Sequence, residues 1–245
     1  MLDDSLAHTL LAACQPLSLL IRLHDREADA DLIKGLRELQ PGPFFAAFLD
    51  EAQAPEASAF EAALADLPDP LDDASADALA AEYADIYLTH SYRLAPTGSV
   101  WLTEDHLERQ EPMFAVREWF DHYGFQVQNW RVRSDDHIVH ELQFVEALLA
   151  LGTEPAARDA ARFMDRHVMV WVPQFCSLLA QRSQHPLMAA TASLTSAYLA
   201  ALRDLLESLT GEARWQPEEK QKPYSMRELE VDMQDAFVPG VTESW

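Results

Sequence analysis

Glycine is scarce: only 7 of 245 residues. A β-sandwich or a doubly wound α/β domain needs more for its turns and phosphate loops, so both are disfavoured. Cysteine is scarcer still. Cys14 and Cys176 are the only two, which excludes a disulfide-rich scaffold and a four-cysteine zinc site. Lysine and arginine total 18 against 41 aspartates and glutamates, for a net charge of −23. The deficit is uneven: residues 38–92 carry twelve carboxylates and no Lys or Arg. Such a field repels nucleic acid, whose binding requires a basic footprint, so no nucleic-acid partner is expected. It favours encounter with a basic peptide, and it also serves simple solubility. No uninterrupted apolar run reaches the roughly 18–20 residues that span a bilayer, so no membrane insertion is expected. The N-terminal MLDDSLAHTLLAACQPL lacks the basic start of a signal peptide, which makes a cytoplasmic location the expectation.

Hydrophobic residues make up 49% and charged residues 24% of the chain, a globular balance dominated by alanine and leucine. Helical periodicity recurs between breakers, and β-branched alternation does not. The expected fold class is all-α: a single helical-bundle-like domain of about nine or ten helices in two groups, plus a C-terminal tail. Residues 1–90 form the N-terminal group, beginning with a helix that carries Leu6, Leu10, Leu17 and Leu20 and contains Pro16. Further helices are expected over 29–40, 44–52, 56–67 and 72–90. SYRLAPTGSVWL, residues 91–102, is rich in turn residues and is expected to be a hinge. The C-terminal group, 103–211, holds helices from about Pro112 to Tyr123, stopped by Gly124, then over 134–152, 155–183 and 186–209. Residues 212–245 lose periodicity and read as a tail with a short helix at 225–237.

The stretch SDDHIVHELQFVEALLALG, residues 134–152, crowds two histidines and three carboxylates into eight positions. Ile138, Leu142, Val145 and Leu149 follow i, i+4, i+7, i+11 and predict a core seam. Ser134, Asp135 or Asp136 is a natural helix cap. On one broad face His137, His140 and Glu141 offer three metal-ligand types, but in the order H-x-x-H-E, which matches neither zincin pattern. A metal-dependent helical enzyme centred on them is the rival reading. Nucleophile elbows, P-loops and G-x-G-x-x-G turns are absent, so no cofactor is expected. Phe163, Trp171 and Phe175 lie at i, i+8 and i+12. By default that stripe is core, and it can equally wall an apolar groove for a guest segment.

Four stretches, in order, resemble one family. EYADIYL at 82–88 looks like a tyrosine/phenylalanine-x-x-leucine-phenylalanine helix end. LAPTGSVWL at 94–102 is similar to a proline-rich hinge and serine-valine-aromatic-leucine turn. SDDHIVHELQFVEALL carries an aspartate-histidine motif, and RHVMVWVPQFCSLL at 166–179 a histidine-x-x-x-tryptophan-x-proline helix. The family is that of the TorD/DmsD/NarJ chaperones dedicated to molybdenum-cofactor enzymes, with the DmsD-like branch the nearest in motif. Departures are Arg133-Ser134 before the aspartate-histidine pair, Ala95-Pro96-Thr97 in the hinge, and Tyr87 for phenylalanine.

The resemblance implies an all-α, non-enzymatic cytoplasmic protein, monomeric or a domain-swapped dimer. It would bind the N-terminal twin-arginine leader, and the mature region, of a molybdenum reductase until cofactor insertion and export. The implied peptide-binding residues are Tyr83, Tyr87, Pro96, Ser99, Trp101, Asp136, His137 and Glu141, with Trp171 and Phe175 as groove wall. Asp136 and Glu141 would pair with leader arginines, with His137 orienting Asp136, while Tyr87 and Trp101 would meet the apolar segment. A helical adaptor that binds only a mature subunit is the third reading.

Overall fold

The computed structural model describes residues 2–127 and 132–215. Among these residues the chain is all-α, as the composition predicts, with eleven α-helices and one π-helical turn. They are α1 (Leu2–Asp25), α2 (Ala30–Leu39), α3 (Gly42–Ala46), α4 (Ala54–Ala65), α5 (Asp73–Tyr87), α6 (Gly98–Leu102), α7 (Glu111–Tyr123), α8 (Ile138–Ala150), α9 (Glu154–Phe163), the π-turn (Met164–Val168), α10 (Val172–Arg182) and α11 (Pro186–Thr210). The expected helix at 225–237, and the tail beyond residue 215, lie outside the described residues.

Local signals explain most boundaries. The Asp29 and Asp72 carboxylates cap α2 and α5 by accepting the N–H groups of Leu32 and Ser75, each at 2.8 Å. Gly124 and Gly211 end α7 and α11 in left-handed backbone, φ +65° and +69°, where a Cβ is unwelcome. Pro16 lies inside α1 without ending it. The stretch 155–183 is not one helix. Pro173 cannot donate to a preceding turn and instead sits in the first turn of α10, and the π-turn absorbs the mismatch upstream.

The predicted seam of α8 is real: Ile138, Leu142, Val145 and Leu149 are all fully buried. Burial extends to Val139, His140, Glu141, Phe144 and Leu148, so α8 is a central helix rather than an amphipathic one. It packs against α1 on one side and α9 on another, while α11 packs against α1, α4, α9 and α10. Helices before and after the 91–102 segment therefore share one core. Phe144 anchors it with edge-on rings from Phe163 and Phe125, at 4.7 and 5.4 Å between centroids.

By length and composition, Asp4–Asp25 is apolar enough to cross a membrane, with a mean hydropathy of 1.4. A test for uninterrupted apolar runs misses it. Here its apolar side is spent on the core, with Leu10, Ala13, Leu17 and Leu20 fully buried.

Candidate functional site

The segment after α5 is laid onto the start of α8. Thr97 and His137 form an isolated antiparallel bridge. On its two sides the Gly98 N–H donates to the Asp136 carbonyl at 2.8 Å and the Ile138 N–H to the Pro96 carbonyl at 2.9 Å. This pairing presents α6 to the Asp136 side chain. The backbone on either side of α6 is unusual. His90 and Arg93 before it, and His106 and Arg109 after it, have φ between 50° and 60°. Left-handed backbone in non-glycine residues costs on the order of 1 kcal/mol or more each and persists only where surrounding contacts enforce it.

Asp136 fastens α6 to the start of α8. Its Oδ2 accepts the Ser99 N–H at 2.6 Å and the Ser99 hydroxyl at 2.5 Å, and its Oδ1 accepts the Ser134 hydroxyl. The Gln110 N–H in turn donates to Ser99 Oγ at 3.1 Å, which ties the start of α7 to the same point. Asp136 is 0% exposed. One turn into α8, Glu141 is 1% exposed and accepts the Trp171 indole N–H at 3.1 Å. Burial first, and the Asp136 charge second, push its carboxyl well above the usual carboxylate range. Trp171 packs on Phe175 with centroids 5.8 Å apart, and Phe175 meets the Trp101 ring edge-on at 6.3 Å. Trp101 donates its indole N–H to the Ala95 carbonyl at 2.8 Å, bracing the 91–102 segment internally.

Two expectations are corrected here. The cap of α8 is His137, not Ser134, Asp135 or Asp136: its Nδ1 accepts the Val139 N–H at 3.2 Å. The carboxylates upstream are already engaged, Asp136 with the serines and Asp135 with Arg117 at 2.6 Å. His137 therefore does not orient Asp136 by a hydrogen bond; Ser99 and Ser134 do. Burial, followed by the nearby Arg133 charge, holds the His137 imidazole well below its ordinary pKa, so it is neutral. His140 turns its Nδ1 to the Ser134 carbonyl at 2.8 Å. Among the described residues no three His, Cys, Asp or Glu side chains converge as a metal site.

Tyr83 and Tyr87 stack with centroids 4.7 Å apart, but their hydroxyls serve other elements. Tyr83 donates to the Asp25 carbonyl at 2.5 Å and accepts from Arg133 at 3.1 Å. Tyr87 pairs with His24 Nδ1 at 2.5 Å, and His24 Nε2 with Thr195 at 2.9 Å. Eight of the ten candidate residues thus gather around the α6–α8–α10 joint, while the two tyrosines tie α5 to α1. Nine of the ten are buried, and only Trp101 is part-exposed. Ser134, Arg133 and His24 complete these networks. Ser134 was legible only as a cap candidate, and His24, a lone histidine in an apolar helix, left no signal.

Residues 53–177, just over half of the chain, match the family model described as nitrate reductase delta subunit, and the chain belongs to that family. The match runs from the helix before α5 through the hinge, Asp136 and Trp171, in agreement with the TorD/DmsD/NarJ resemblance. Among curated relatives, the chaperone protein TorD of Vibrio cholerae serotype O1 is 27% identical over 144 residues, 55% of this chain and 64% of the relative. The chaperone protein TorD of Aliivibrio fischeri is 24% identical over 130 residues, 49% of this chain and 60% of the relative. The aligned region spans less than two thirds of either relative. Both relatives are named as chaperones and neither as an enzyme.

Proposed function

We propose that this chain is a dedicated cytoplasmic chaperone for a molybdenum-cofactor oxidoreductase, with no catalytic activity of its own. It holds the client's N-terminal twin-arginine leader until cofactor is inserted and export can proceed. The observation that carries this reading is the family match lying across the hinge, the Asp136 joint and Trp171. The chemistry is compatible. A twin-arginine leader has a basic start followed by an apolar stretch, and this chain combines a net charge of −23 with two carboxylates set beside Trp101, Trp171 and Phe175. Leader arginines pair with Asp136 and Glu141, where charge-assisted bonds are strong if desolvated. Pro96, Ser99 and His137 shape the frame around them. Tyr87 and Trp101 meet the apolar stretch, on the DmsD-like pattern of the motifs, and Tyr83 stacks on Tyr87.

Co-expression tests the reading. A molybdenum reductase from the same genome, produced with and without this chain, is assayed for bound molybdenum cofactor. Cofactor content should fall several-fold without the chain and recover when it is supplied. Equal content in both would contradict a maturation role for that client.

A further inference from the structure

We propose that residues 90–110 form a lid that lifts off α8 before a leader binds, and that Asp136 is its latch; the inference rests on the leader-binding reading above. Nine of the ten residues assigned to the leader are buried, and this segment is what covers the central ones. Ser99 sits on Asp136. Gly98 lies flat against Trp171 and Glu141, so that a Cβ there would come within 3.1 Å of the indole nitrogen and 3.5 Å of Glu141 Oε1. Trp101 leans on Phe175. A leader cannot touch Asp136, Glu141 or Trp171 while α6 stays in place.

The segment is built to be displaced. Its attachment to the start of α8 runs through polar contacts: the two backbone hydrogen bonds flanking Thr97 and His137, and the serine bonds to Asp136. Its backbone is held in left-handed conformation at His90, Arg93, His106 and Arg109, two residues on each side of α6. The Thr97 hydroxyl is buried without a hydrogen-bond partner, a cost that lifting would relieve. Strain of this kind, clustered around one short helix, is what a two-state element stores.

Asp136 couples the lid to the ligand. In the closed form its oxygens receive one amide and two hydroxyls, all neutral donors. A guanidinium offers two parallel charge-assisted bonds to the same oxygens, which is the stronger pairing. A leader arginine and Ser99 then compete for one carboxylate. The leader opens the lid by the difference between its affinities for the open and closed forms.

Amide exchange in the unmodified protein tests this. Exchange is measured with and without a saturating synthetic twin-arginine leader, whose binding is followed by calorimetry. The Gly98, Ser99 and Ile138 N–H groups donate across the joint in the closed form, so bound leader should speed their exchange at least tenfold. Slower or unchanged exchange there, with the leader bound, would overturn the lid and leave the leader reading intact. Absence of leader binding would overturn both.

Discussion

Glu141 is a carboxyl whose protonated form the fold favours. Its pKa is raised by burial and by the Asp136 charge, so the folded chain holds this proton more tightly than the unfolded chain does. The contribution to stability is therefore full below about pH 4.5 and is lost as pH rises toward the folded value. Glu141→Gln cannot ionise and keeps a carbonyl for the Trp171 N–H. The variant should match the parent at pH 5 and equal or exceed it at pH 8, by up to about 1 kcal/mol, in urea unfolding. A variant less stable at pH 8 than the parent would show that the ionised form is the native one. The spacing of Glu141 behind His137 was legible in the sequence. Its burial was not, because the partner Trp171 lies 30 residues away and no local pattern links the two.

At the scale of elements, the joint depends on one close approach. Gly98 opens α6 directly against the Trp171 indole, and an added methyl would stand 3.1 Å from the indole nitrogen that donates to Glu141, so the ring must give by a few tenths of an ångström. Gly98→Ala should lower unfolding stability by about 1–3 kcal/mol, the usual cost of overpacking a fixed contact. It should also shift Trp171 fluorescence to longer wavelength. A variant within about 0.5 kcal/mol of the parent, on the same scale, would mean that α6 yields easily and does not clamp the indole. The helices themselves were largely readable: the α8 seam, the glycine stops at 124 and 211, and the caps at Asp29 and Asp72 all follow local rules. What could not be read was pairing at a distance. Asp136 looked like a cap because it precedes a helix, yet Ser99, 37 residues earlier, takes its carboxylate. His137 then inherits the capping role.

For the whole molecule, the buried histidines set the response to acid. His24 and His167 are both lowered to about 4, first by desolvation, and burial also lowers His137, His140 and His185. A histidine with a depressed folded pKa leaves the unfolded chain the better proton binder below pH 6.5, so stability falls as pH drops through the range from 6.5 to 4. Each of His24 and His167 contributes a loss of about 1.4 kcal/mol per pH unit across much of that window. Glu141 acts in the opposite direction but is one group against several. Unfolding free energy measured from pH 7 to 4.5 should decline steadily, and His24→Gln should flatten the decline. A flat profile would contradict the burial of these imidazoles.

The charge of the whole molecule bears on its partner as well. Residues 38–92, without a single Lys or Arg, place a repulsive surface toward acids and an attractive one toward a basic leader. The most direct test of the leader-binding account is calorimetric titration with leader peptides of molybdenum reductases from the same genome, each beside a version with lysines for the twin arginines. The account predicts saturable binding to one leader, weakened by salt, by the lysine pair and by Asp136→Ala in a protein that remains folded. Binding to none of the leaders, or equal binding of the arginine and lysine versions, would contradict it.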